Sequence, residues 1–230
     1  LYALNENGYK RVIELSSLSY FNDIEINEPY LNFNELLKPN EGVSLFSGTV
    51  NGLFGQLFEK GKFKEIEKLY LDLKSLYKDR FYIEIQRHGD TNEKGFEKFN
   101  LSKSLTLEIP LIATNEVYYI DKNMHEAHDA LICIKNKTYV NEKNRVRLSD
   151  QHYLKNNSEM SELFADIPES LENNYNFPFR CNYKPLFSSP ILPNISSDKG
   201  VNAEDVLKKD SLEGLKDKFN KVFDLKDHKL

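Results

Sequence analysis

The sequence predicts an α/β fold built on a parallel sheet or barrel. Two observations carry this. Short apolar stretches alternate with helical ones in the order β-α-β-α-β, and the helical stretches are long enough to cross over between parallel strands. The composition is that of a chain that folds. Of 230 residues, 40% are hydrophobic and 29% charged, which permits a sizeable core. A count of 31 Lys+Arg against 36 Asp+Glu leaves a net charge of −5. Such an acidic surface excludes a global attraction to nucleic acid or anionic membrane.

Taken in order, residues 9–21 place Tyr9, Val12, Ile13 and Tyr20 at roughly helical spacing, and polar turn residues follow over 22–39. Residues 43–50 (VSLFSGTV) lie between Gly42 and Gly52 and read as a buried strand. The clearest amphipathic helix is 62–78, with Phe63, Ile66, Leu69, Tyr70, Leu73, Leu76 and Tyr77 on one stripe. A second strand is expected over 81–86 (FYIEIQ), a helix over 92–105, and a third strand over 110–119 (PLIATNEVYY). Asp121 is a candidate cap for a helix through His125 and His128 to Ile134. Asn156 followed by Glu159 resembles a capping box opening a helix through Met160 and Phe164, and Pro168 suits the first turn of the next helix.

Residues 176–200 change character, collecting Pro178, Pro185, Pro190 and Pro193 with Ser188, Ser189, Ser196 and Ser197. This is a connector. A charged helix follows over 203–223, with Val206, Leu207, Leu215, Phe219 and Val222 available for packing. No apolar run approaches the roughly 18 residues needed to span a bilayer. Cys133 and Cys181 have no metal-type spacing and suggest no disulfide framework, so a reducing cytoplasm is expected. Leu1 is not an initiator Met and the C-terminal residues stop without a recognisable terminus, which suggests a fragment of a longer protein.

Candidate chemistry is sparse. His125 and His128, three apart, would share a helical face and could share a metal, but the spacing is not that of a metalloprotease. A solvated or capping pair is the simpler reading. His88 precedes Gly89 directly after a strand, where barrel enzymes keep catalytic groups; a histidine satisfied at a strand end explains it more simply. Thr114-Asn115-Glu116 ends a strand and offers one carboxylate. Ser47-Gly48-Thr49 with Gly52 and Gly55 lacks the Lys of a phosphate loop, and a tight turn suffices. The basic stretches 60–68 and 143–147 alternate with acids or lack stacking aromatics, as solvated faces do.

Several strings together carry a more specific signal. They are Gly8-Tyr9-Lys10, the Ser47-Gly48 turn, DRFYIEIQRHG (79–89), IPLIATNEVYY (109–119) and AHDALICI (127–134). The run continues with YLKNNSEMSELFADIPESLEN (153–173), Arg180-Cys181-Asn182 and ILPN (191–194). In this order they resemble the polymerase-and-histidinol-phosphatase (PHP) domain of the bacterial replicative DNA polymerase III alpha subunits. The resemblance implies a partial, distorted (β/α)7 PHP-type barrel over 1–175 lacking its first strands, a Pro-rich connector over 176–200, and the start of the polymerase catalytic region over 201–230.

What the resemblance implies for chemistry is largely subtraction. Metal-binding members open with His-x-His, which this chain does not contain. Where they have Asn-Asp-x-His, it has Asn115-Glu116-Val117-Tyr118, and where a metal-binding Cys follows Ser-Gly it has Thr49. With Thr49, Glu116 and Tyr118 as degenerate ligand positions, neither a metal nor a catalytic residue is expected in this segment. The whole protein would perform template-directed DNA synthesis with Mg²⁺ held by palm carboxylates outside this segment. The segment itself would be an inactive scaffold that docks the proofreading exonuclease subunit, while the sliding clamp and DNA meet other domains. The alternatives are a metal-dependent PHP-type phosphoesterase and a stand-alone scaffold. Missing barrel strands would leave sheet edges and apolar surface open, so poor solubility is expected of the isolated piece.

Overall fold

The computed structural model describes residues 1–21, 29–187, 189–190 and 202–222. Parts of the expected 22–39 loop and 176–200 connector, and the residues after 222, lie outside the described residues. The chain divides into two compact units, Leu1–Lys184 and Pro185–Leu230. In the second unit a helix runs Ala203–Val222, over the stretch whose charged, periodic pattern predicts it.

The first unit is built on a four-stranded sheet in the order β1-β2-β3-β4, comprising Tyr2–Ala3, Val43–Phe46, Phe81–Ile85 and Leu111–Ala113. β2, β3 and β4 are parallel, with Leu45 opposite Phe81 and Ile83 opposite Leu111. Parallel pairing demands crossovers, and helices α2 (Leu53–Glu59), α3 (Phe63–Tyr77) and α4 (Glu93–Leu107) supply them. β1 is antiparallel to β2, so the sheet is mixed. Two residues carry too little pattern to announce a strand, and α2 was hidden by Gly52 and Gly55, read as turn residues.

α3 shows why the helical stripe was legible. Ile66, Tyr70, Leu73 and Tyr77 recur at helical spacing and are all fully buried against the sheet. β3 is buried on both faces, as parallel strands between two layers are. Phe81, Ile83 and Ile85 join the main core, while Tyr82 packs on the opposite face with Leu4, Ile112 and Phe177. Phe177 is part of this packing and lies within the first unit, which runs to Lys184.

Other boundaries shift for local reasons. The first helix, α1 (Glu6–Leu18), starts earlier than expected because Asn5 caps it by accepting from the Gly8 N–H at 3.0 Å. The strand expected over 43–50 ends at Phe46, where Ser47 makes the last rung to Tyr82 and Gly48 turns with φ +81°. The strand expected over 110–119 ends at Ala113. Thr114 N–H still donates to Ile85, but Tyr118 N–H and Leu154 N–H tie the following chain to 152–154 instead. Asp121 does not cap α5 (His125–Asn136): its side chain makes no cap bond, and a 3₁₀ turn over Lys122–Met124 intervenes. The Asn156–Glu159 capping box is present at α6 (Asn157–Leu163), and Pro168 opens α7 (Pro168–Asn176). α7 lies along the outer edge of β4, where Asn173 and Asn174 donate their side-chain amides to the carbonyls of Leu111 and Ala113 at 2.8 and 2.7 Å. No described helix is long and apolar enough to cross a membrane.

Candidate functional site

The C-terminal ends of β3 and β4 bring the chemically distinctive side chains together. After β3 the chain passes through His88 and Gly89, whose φ of +83° turns successive N–H groups inward. Glu93, in the first turn of α4, reaches back into this turn. Its carboxylate accepts the N–H groups of His88, Gly89 and Asp90 at 2.8 to 3.1 Å, and His88 Nδ1 at 3.1 Å. Burial alone would raise the Glu93 carboxyl, but these bonds outweigh it and hold it below the ordinary glutamate value.

His88 is buried and has both ring nitrogens engaged. Nδ1 bonds to Glu93, and Nε2 accepts the Glu116 backbone N–H at 3.2 Å. This pairing places the proton on Nδ1. The ring stacks on His152 with centroids 4.0 Å apart and planes 2° from parallel. His152 Nδ1–H donates to the Glu116 carbonyl at 3.1 Å, and its buried Nε2 has no partner among the described residues. Burial, and then the neighbouring His88, push the His152 pKa below 6.5.

The rim is also hydrogen-bonded. Tyr118 donates its hydroxyl to Glu116 at 2.6 Å; that bond first, and partial burial second, push the phenol up to about 12. Lys155 donates to Asn115 Oδ1 at 3.2 Å and to the Gln151 carbonyl, its ammonium 4.5 Å from the Tyr153 ring centroid. Burial lowers its pKa. Arg87 clamps Glu97 of α4 and Asp166, and its guanidinium lies 4.8 Å from the Phe164 ring.

Of the residues singled out from sequence, Glu116, Tyr118 and His88 meet here. Thr49 is half-buried in the turn between β2 and α2 and shares a small cavity with Glu93. His125 and His128 lie apart from one another's work: His125 Nε2–H donates to the Leu148 carbonyl at 2.9 Å, and His128 packs on the Tyr118 and Tyr119 rings. Among the described residues, no group of three or more His, Cys, Asp or Glu is placed to hold a metal ion. The donor set does not fit one. His152 Nε2 is a free imidazole lone pair, but His88 has none to offer and the Glu116 carboxylate is shared with a phenol, whereas a zinc-type site needs at least three protein ligands. Sequence reasoning missed Glu93, His152 and Lys155, since none sits in a motif with a characteristic spacing.

The first unit combines a mixed sheet, parallel over β2, β3 and β4, with a polar cluster at the strand ends, and its residues 1–88 match the PHP domain. The chain is 35% identical over 216 residues to DNA polymerase III subunit alpha of Caulobacter vibrioides, covering 94% of this chain and 19% of that protein. The Rickettsia bellii protein of the same name is 34% identical over 94% of this chain and 18% of its own length, and that of Pseudomonas aeruginosa 31% over 95% and 19%. The resemblance carried by the motifs therefore holds over nearly the whole chain. The chain spans about a fifth of the length of the curated relatives it matches.

Proposed function

We propose that this chain is a segment of a replicative DNA polymerase III alpha subunit that performs template-directed DNA synthesis in the cytoplasm. The support is the alignment with proteins of that name over 94% of the chain. Polymerisation, its Mg²⁺ ions, and contacts with DNA and the sliding clamp would belong to parts of the longer polypeptide outside this segment. In this reading residues 1–175 are a partial, distorted (β/α)7 barrel, 176–200 a connector and 201–230 the start of the catalytic region.

Within it, the PHP segment is an inactive scaffold that docks the proofreading exonuclease subunit. The observation that carries inactivity is the hydrogen-bonding of the strand-end cluster. His88 is occupied at both nitrogens, Glu116 holds the Tyr118 phenol, and Thr49 offers no thiolate. His88 and Glu116 are thus engaged with their neighbours, and of the two stacked rings only His152 keeps a free nitrogen among the described residues. The intact subunit, purified and supplied with divalent metals, is expected to release no phosphate or nucleotide from phosphoester substrates. Metal-dependent release that disappears in Glu116→Ala would sink the inactive reading and favour the phosphoesterase. Docking is tested separately: the exonuclease subunit should co-purify with the intact protein and be lost when the whole first unit, residues 1–184, is removed, and retention after that deletion counts against it.

A further inference from the structure

Asn100 on α4 is fully buried, and its Oδ1 accepts the Tyr70 hydroxyl at 3.0 Å. Its Nδ2, with two N–H donors, has no hydrogen-bond partner among the described residues. A buried donor left unpaired is costly and native interiors rarely keep one. Asn100 borders a cavity of about 20 Å³ whose wall includes Thr49, Glu84, Gln86 and Glu93. One water needs roughly 10–15 Å³ and two to four polar partners. That volume has room for one such molecule. An apolar occupant would leave those donors unpaired.

We propose that this cavity is a binding site for a single internal water, which accepts from Asn100 Nδ2 and donates to oxygens on the Glu84–Glu93 side of the wall. The water continues the Tyr70–Asn100 hydrogen bond from the core to the strand-end cluster, so that α3, α4 and the loop carrying Thr49 share one polar network. The idea is independent of whether the segment hydrolyses anything.

A crystal structure of the intact chain, at a resolution that shows ordered solvent, reads the site directly. One water peak is expected about 2.7–3.2 Å from Asn100 Nδ2. A dry cavity, or Nδ2 bonded to a protein oxygen, overturns the proposal. In solution, the Asn100 side-chain amide protons should show a nuclear Overhauser effect to water with the sign of a long-lived complex. No such effect, with the amide protons themselves observed, also overturns it. Both measurements use the unaltered protein, so neither depends on a variant that folds.

Discussion

Glu93 holds more of the strand-end cluster than any neighbour, because one carboxylate closes three backbone N–H groups and the His88 ring. Glu93→Gln turns an amide NH₂ toward those donors and leaves at least one of them unpaired, which should cost about 3 kcal/mol in chemical denaturation. Its folded pKa lies below the ordinary 4.5, so its contribution is present above that pH and is lost as acid takes the pH down through the folded value. The acid limb of the stability curve should therefore be shallower in Glu93→Gln. His152 acts in a higher window. Its folded pKa is depressed below 6.5, so the neutral ring is favoured, and stability present above 6.5 declines as the pH falls toward the folded value. His152→Phe keeps a ring face for His88 and should flatten the change in denaturation midpoint between pH 7.5 and 5.5. An unchanged slope would show that another group titrates there. Of this cluster, His88 was legible because it follows a strand and precedes a glycine. Glu93 looked like any acid in a helix's first turn, and His152 comes from an irregular segment whose approach only the tertiary fold decides.

At the scale of elements, legibility followed the length of the pattern. α3 and α4 repeat their periods for 15 residues each and were expected within a few residues of their ends. α2 has 7 residues and two glycines in or beside it, and the second is there for packing. A Cβ on Gly55 would lie 1.9 Å from the Val50 carbonyl oxygen, a backbone atom that cannot step aside. Gly55→Ala should destabilise by about 2 kcal/mol or more despite the better helix propensity of alanine, and a neutral or stabilising result in thermal melts would contradict this contact. The cap of α6 is the opposite case, written in the sequence and present in the fold. Asn156 accepts the Glu159 N–H at 3.0 Å, and Glu159 accepts the Asn156 N–H at 2.8 Å. Asn156→Ala should cost about 1 kcal/mol, read as a lower denaturation midpoint with no change in slope.

For the molecule as a whole, the question raised by the sequence was whether an incomplete barrel leaves its sheet open. Along β4 it does not. The Leu111 and Ala113 carbonyls that a further strand would use are taken by the Asn173 and Asn174 amides. At β1, Asn182 N–H donates to the Leu4 carbonyl beside the strand. An edge with its acceptors satisfied is a poor template for another chain, which is how natural sheets resist edge-to-edge association. Nothing in the sequence announced this, because two asparagines near the end of a helix look like ordinary surface residues until the helix is laid on the strand. The double variant Asn173→Leu/Asn174→Leu should reopen the β4 edge. It is expected to form concentration-dependent oligomers in light scattering while its far-ultraviolet circular dichroism stays like that of the parent, which separates edge pairing from unfolding. If parent and variant scatter alike at matched concentration, the amides serve only to seat α7. Any association of the parent would then have to proceed through side chains such as Leu131 and Ile134 of α5, both more than 60% exposed, rather than through the sheet.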